Sequence, residues 1–212
     1  MNQVTEGVWV GCTWIARLAW LNLLWLLFTA AGLVVFGLFP ATAAGYQIAR
    51  DYVHRPESRE EPLMRRYAAL VRANVVRANL VGIVVVAVGC LLLAALQLTW
   101  TATGAPWQLP VLGLTVIAAV AFVAGVVHLP FLAAHIKAPA RAIVRASWLY
   151  ALSHPGSTVL ICAAWTGLSL LLGAYPAAAV FFCFSPVALL TAVLDVRGFH
   201  RLEQRQALRP VR

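Results

Sequence analysis

Charge is scarce in this chain of 212 residues: 11% are Asp, Glu, Lys or Arg, against about 25% in an ordinary soluble domain. Acids are rarest, seven in all, and there is one lysine beside fifteen arginines. A soluble globule of this composition has too few polar side chains to cover its surface. The four cysteines (Cys12, Cys90, Cys162, Cys183) form no C-x-x-C pair, which excludes a disulfide-stapled miniprotein and reads them as small apolar residues. No G-x-S-x-G, H-E-x-x-H, Walker or dinucleotide-binding motif occurs, so the common hydrolase, zinc-protease and nucleotide-binding signatures are missing. What is present is apolar: 62% of the chain is hydrophobic, which excludes disorder and makes lipid the expected solvent.

A helix needs about 20 mostly apolar residues to cross a hydrocarbon core about 30 Å thick. Five runs are candidates, at about 18–38, 80–101, 110–132, 158–172 and 177–194, the fourth the weakest by length, and none carries a charged residue in its interior. The fourth and fifth meet through Gly173-Ala174-Tyr175-Pro176, reversal chemistry of glycine and proline. The predicted fold is an all-α polytopic bundle: about five transmembrane helices plus two interfacial amphipathic ones, in a single domain over 1–212. Of the 16 basic residues, 15 fall in segments 40–79, 133–157 and the tail from Asp195, while 102–109 and 173–176 carry none. The positive-inside rule then predicts a cytoplasmic C-terminus, an outside N-terminus, and Arg17 as the one basic residue outside. No cleavable signal peptide is expected, because the first 16 residues carry no positive charge. The excess of arginine over lysine and the abundant alanine read as the mark of a GC-rich bacterial genome, so the expected location is the inner or plasma membrane. The net charge of +9 would raise nucleic-acid binding in a soluble protein. Here the arginines flank apolar runs, so no nucleic-acid partner is expected.

The first apolar run continues to Ile48, and 31 residues make a helix of about 46 Å. Pro40 would remove a hydrogen bond inside such a helix, so a break is predicted near Gly37–Pro40. Residues 63–79 read as a basic amphipathic helix feeding the second span: Leu63, Met64, Tyr67, Leu70, Val71, Val75 and Ala78 share one arc, with Arg65, Arg66, Arg72 and Arg77 off it. A second such helix starts at Pro139, with Ile143, Val144, Trp148 and Ala151 apolar and Arg141 and Arg145 beside them, ending at Ser153-His154-Pro155-Gly156. The order of basic helix, span, reversal and span thus recurs at 63–132 and 139–194, as parallel repeats would.

Candidate chemistry is sparse. The acids Glu6, Asp51, Glu57, Glu60, Glu61, Asp195 and Glu203 fall in tails, loops or span ends. His128 and His135 straddle Pro130 without further ligands at metal spacing, and an interfacial histidine bonded to a carbonyl is the expectation for each. No metal, cofactor or catalytic residue is assigned. Asn22 and Gln97 are the polar side chains inside spans that most require a partner across a helix interface.

One stretch carries more information. Asn22-Leu23-Leu24-Trp25, then Gly32, then Phe36-Gly37-Leu38-Phe39-Pro40-Ala41-Thr42-Ala43-Ala44 and a basic loop resembles the YesL-like bacterial membrane proteins, also known as domain of unknown function 624. Arg72-Ala73-Asn74 and Asn79-Leu80-Val81-Gly82 are similar to that family's entry into its second span. The resemblance covers about residues 18–90, with Asn22, Trp25, Gly37, Phe39, Pro40, Ala41 and Ala44 as its motif. It implies a setting, since members are often encoded near sugar-uptake transporters and polysaccharide-degrading enzymes, and no defined activity. The resulting expectation is a non-enzymatic membrane protein accessory to carbohydrate uptake. It would contact sugar-importer subunits or anionic lipid through Arg65, Arg72, Arg141 and Arg145. The alternative is a small-solute carrier or pore working as a homo-oligomer.

Overall fold

A computed structural model describes residues 3–54, 62–102, 104–135 and 138–207. The polar link with Glu57, Glu60 and Glu61, Lys137, the His135 side chain, and Glu203 and the arginine side chains from Arg201 onward lie outside what is described. Eight helices account for most of the described residues, with no strand among them: α1 (Gln3–Ala31), α2 (Leu38–His54), α3 (Leu63–Thr101), α4 (Gln108–His135), α5 (Ala140–Ser153), α6 (Pro155–Ala174), α7 (Pro176–Phe182) and α8 (Ser185–Ala207). Prolines punctuate the starts. Pro155 and Pro176 occupy the first turns of α6 and α7, and Pro62 and Pro139 directly precede α3 and α5, positions where a missing N–H costs no helical bond.

Four helices are long and apolar enough to cross a membrane, and α7 with the first part of α8 makes a fifth candidate bent by 46°. Along the spans their outer faces are largely apolar. On α3 Leu91, Leu98 and Trp100 are exposed, and on α4 Leu109, Leu114 and Ile117. Apolar surface on this scale would not persist in water; its solvent is the bilayer, and the protein is a multi-pass membrane protein.

The first apolar run breaks earlier than its sequence suggests. Helix α1 ends at Ala31, residues 32–37 form turns, and α2 begins at Leu38. Leu33 and Val34 sit at φ 55° and 63°, the left-handed region that side chains other than glycine rarely adopt. Gly37 lies against the Phe28 and Thr29 carbonyls, so close that a Cβ there would stand 2.6 and 2.5 Å from their oxygens. The reversal is therefore made by residues 32–37. Pro40 is only the third residue of α2, where its missing N–H belongs to the helix's unsatisfied first turn.

The reversal is a hairpin. Trp14 and Tyr52 meet edge to face at 6.2 Å, and Trp25 Nε1 donates to Thr42 Oγ1 at 3.0 Å, so α2 runs back along α1. Arg17 lies 5.3 Å from the Trp14 ring and 5.8 Å from the Tyr52 ring. It stands beside the α2 end where Asp51 pairs with Arg50 and Arg66, and not alone at a far end of the bundle. Helix α2 is the centre of the fold, packed by α1, α3, α4 and α8. Ala41, Ala44, Tyr46, Ile48 and Ala49 are all buried. Its small residues allow that approach: a Cβ on Gly45 would lie 2.5 Å from the Phe184 ring.

The basic helix and the second span are one continuous helix of 39 residues, α3, about 58 Å long. No proline or glycine falls between Leu63 and Val81 to separate them. The corresponding pair α5 and α6 is separate, because His154-Pro155 interrupts it.

The roles of Gly37 and Pro40 are separable by mutation. Gly37→Ala forces a methyl into two carbonyls and should cost about 1–3 kcal/mol, whereas Pro40→Ala should change stability by less than about 1 kcal/mol. Thermal unfolding of the purified variants measures both, and a larger loss for Pro40→Ala would refute this account of the reversal.

Candidate functional site

Two polar centres lie inside the apolar bundle. The first is built on Asn22, fully buried in α1. Its Nδ2 donates to the Val180 carbonyl at 2.8 Å and lies 3.3 Å from the Ala179 carbonyl, while its Oδ1 accepts from the Phe184 amide at 2.9 Å and the Ser185 amide at 3.3 Å. In an unbroken helix the Phe184 amide would donate to the Val180 carbonyl. The carboxamide of Asn22 stands in that gap and bonds both halves, as an inserted side chain does at a kink. The 46° bend between α7 and α8 is thus satisfied from across the bundle.

Other residues of the motif around Asn22 secure the same point. The Trp25 ring stacks on Phe184 at 5.2 Å and 10°, and Tyr46 meets Phe184 edge-on at 5.5 Å. Tyr67 Oη donates to the Ala41 carbonyl at 2.7 Å, and Phe39 fills the space left by Gly82, where a Cβ would lie 2.2 Å from its ring. Pro40, Ala41 and Ala44 are buried in the α2 core. Gln97, expected to bond across a helix interface, is instead exposed on α3 with no side-chain hydrogen bond among the described residues.

The second centre corrects the reading of the acids and histidines. His128 on α4 and Asp195 on α8 are both fully buried. His128 Nδ1 lies 3.2 Å from both carboxylate oxygens of Asp195, and Nε2 lies 3.0 Å from Thr158 Oγ1 on α6. Thr158 in turn is 3.2 Å from the His154 carbonyl. Both ring nitrogens of His128 are thus engaged, one by the Asp195 carboxylate and one by the Thr158 hydroxyl. Tyr150 of α5 packs edge-on to His128 at 5.0 Å and stacks on His154 at 4.5 Å. Its hydroxyl lies 3.4 Å from the Asp195 carbonyl, in space left by Gly198. Asp195 therefore belongs to the interior, and His128 bonds a carboxylate and a hydroxyl instead of a carbonyl. The sequence signal was an acid closing an apolar run and a histidine two residues before a proline, neither of which names its partner.

This centre ties four helices, α4, α5, α6 and α8. No group of three or more side chains suited to a metal ion occurs among the described residues. Arg65, Arg72, Arg141 and Arg145 are exposed, on α3 and α5, so their charges face outward and not into either centre.

A buried hydrogen-bonded pair is costly to break from one side. Asp195→Ala leaves a buried ring nitrogen of His128 without its partner and should destabilise the protein by about 1–3 kcal/mol, with His128→Met, Asp195→Leu together recovering much of that loss. Chemical denaturation in detergent would read the cycle; single variants as stable as the wild type would remove the pair from the list of structural determinants.

Comparison with known proteins adds to this geometry. A family model described as "Protein of unknown function, DUF624" matches residues 18–96, the stretch that contains Asn22, Trp25, the reversal and the buried start of α2. The Bacillus subtilis (strain 168) protein YesL is 30% identical over 207 residues, covering 97% of this chain and 96% of that one. YesV of the same organism is 24% identical over 95% of this chain and 96% of its own length, and YteU is 36% identical over 89 residues, 42% of this chain. All three bear the description "uncharacterized protein". No solved structure matches. Full-length similarity to YesL, together with the family match across the hairpin, makes this chain a member of the YesL-like DUF624 family of membrane proteins.

Proposed function

We propose that the protein works by association in a bacterial cell membrane, as a non-enzymatic accessory to carbohydrate uptake that contacts a transporter. The observation that carries this reading is the outward exposure of Arg65, Arg72, Arg141 and Arg145 on two helices beside an apolar bundle. Exposed arginines on a membrane protein suit an acidic partner surface or anionic lipid. The interior polar groups support it too, since Asn22, His128 and Asp195 are fully buried and spend their bonds on other helices. The setting near sugar importers that the family resemblance implies supplies the substrate class.

A second reading has its own observation. An ionisable pair buried in a membrane domain is a mark of solute or proton pathways, and broken helices such as α7–α8 line substrate sites in secondary carriers. The buried His128–Asp195 pair and the Asn22-bridged break together favour a small oligomeric carrier as the alternative.

The orientation we propose follows the arginines, with the C-terminus cytoplasmic. The hairpin changes the expectation for the N-terminus. Arg17 stands beside Tyr52, and from Arg17 to Ala31 is about 21 Å of helix, short of a core about 30 Å thick. We therefore assign Arg17 to the cytoplasmic side as well, with α1 and α2 entering and returning. Cys12 is exposed and offers the test. With the other three cysteines replaced, an impermeant maleimide should label it in inverted vesicles and not in intact cells. Labelling of intact cells alone would restore an outside N-terminus.

Partner contact is read by affinity purification from native membranes. Wild type should recover sugar-importer subunits, and Arg141→Glu with Arg145→Glu should lose most of them, because attraction becomes repulsion. Purified protein that by itself moves a sugar into liposomes would overturn the accessory reading in favour of the carrier.

A further inference from the structure

The reversal between α1 and α2 is apolar in every side chain. From Ala30 to Ala41 no polar or charged residue occurs, and at the tip Leu33, Val34, Val35 and Phe36 are 81, 57, 67 and 63% exposed. A reversal in water is ordinarily built from glycine, asparagine or aspartate, which tolerate a left-handed backbone and hydrate well. Here leucine and valine occupy the left-handed positions, at φ 55° and 63°, and the backbone carries the strain. The main chain is closed on itself. The amides of Gly32, Leu33, Val34, Val35, Phe36 and Leu38 donate to the carbonyls of Phe28, Ala30, Thr29, Leu33, Gly32 and Val34 in turn, and the Phe36 carbonyl accepts from Asn79 Nδ2 of α3. That is what a turn requires where no water can take its polar groups. The tip also continues a lipid-facing surface. Asn79 and Gly82 seat it on α3, where Leu80, Ile83 and Val84 are exposed.

We propose that this tip inserts among the acyl chains of the cytoplasmic leaflet and ends there, with Leu33, Val34, Val35 and Phe36 as the residues that meet lipid. Closure of the main chain selects that occupant, since a protein partner could bond the turn's amides itself. The left-handed leucine and valine select it too, because an asparagine or aspartate there would relieve the strain and be penalised in hydrocarbon. Depth follows from α3. From Gly82, which receives Phe39, to Trp100, exposed at the far end of that helix, is about 27 Å, nearly the whole of a core about 30 Å thick. With Trp100 at the outer interface, the tip lies near the headgroup end of the inner chains. The choice of leaflet rests on the orientation read from the arginines; insertion itself does not.

The experiment uses the full-length protein with its four cysteines replaced by alanine, a single cysteine at Val35 or Leu91, and a bimane dye on each. The labelled proteins are placed in vesicles of phosphatidylcholine and phosphatidylglycerol, with phosphatidylcholine spin-labelled either near the headgroup or at the chain end as quencher. Val35→Cys should be quenched more strongly by the label near the headgroup. Leu91→Cys, about 14 Å from Trp100 along α3 and so in mid-core, should be quenched more strongly by the label at the chain end. An impermeant maleimide should reach Val35→Cys from neither side of the vesicle. Val34→Asn and Val34→Gly both relieve the left-handed backbone, and only the first adds an amide, so in vesicles Val34→Asn should melt below Val34→Gly. Maleimide labelling of Val35→Cys would put the tip in water and overturn the proposal, as would equal melting of the two Val34 variants. Protection of Val35→Cys without quenching would put a second copy over the tip and overturn it as well, and strongest quenching from the chain end would overturn the depth. Labelling of Cys12 in intact cells, with Val35→Cys still quenched from near the headgroup, would overturn the leaflet and support the insertion.

Discussion

Backbone polar groups that face hydrocarbon must be bonded within the protein, because no water is there to take them. That constraint decides where this bundle can break a helix. The chain leaves regular helix at Phe184, and a peptide carbonyl and amide that would have bonded each other are parted. Asn22 restores the connection with a side-chain amide whose acceptor and donor match the parted groups. Everything near the break then follows from holding Phe184 in place. Trp25 stacks on it, Tyr46 meets its edge, and Gly45 leaves its ring room. A single buried asparagine thus links the start of the chain to its last helix, 162 residues away.

The His128–Asp195 pair answers a second demand of the same medium. A lone buried charge in hydrocarbon is expensive, and pairing with hydrogen bonds on the remaining atoms is the arrangement that tolerates it. Thr158 takes the other ring nitrogen of His128 and in turn donates to the His154 carbonyl, and Tyr150 lies against the Asp195 main-chain carbonyl. The pair joins α4 to α8, with Thr158 of α6 and Tyr150 of α5 against it. Helix α2 is short and rich in alanine. Because its residues are small, four helices approach it closely and the bundle acquires a core although most of its surface faces lipid.

The hairpin at 32–37 makes the role of the family motif physical. Gly37 admits the tight approach to the Phe28 and Thr29 carbonyls, Phe39 seats against Gly82, and Asn79 Nδ2 holds the Phe36 carbonyl at 3.0 Å. The motif that resembles the family is therefore a packing motif, and its residues touch the α1–α2 hairpin itself, α3, or the α7–α8 break. This accounts for a family match over 18–96 that ends inside α3, since those residues form the hairpin and the helix it leans on.

The helical class, the membrane solvent and the family were legible in the sequence. Composition and runs of apolar residues fix these locally, one segment at a time. The Asn22 side chain declared its need for a partner, since an amide in an apolar run must be bonded, but the partner's identity was not written beside it. Only the tertiary structure decided that α1 and α2 fold back on each other, that the run 177–194 bends at Phe184, and that Asp195 turns inward to meet His128. Each of these depends on contacts between residues 38, 67 or 162 positions apart. Periodicity and hydropathy describe a segment's preference for lipid or water; which buried polar groups satisfy one another is set by how the segments are assembled.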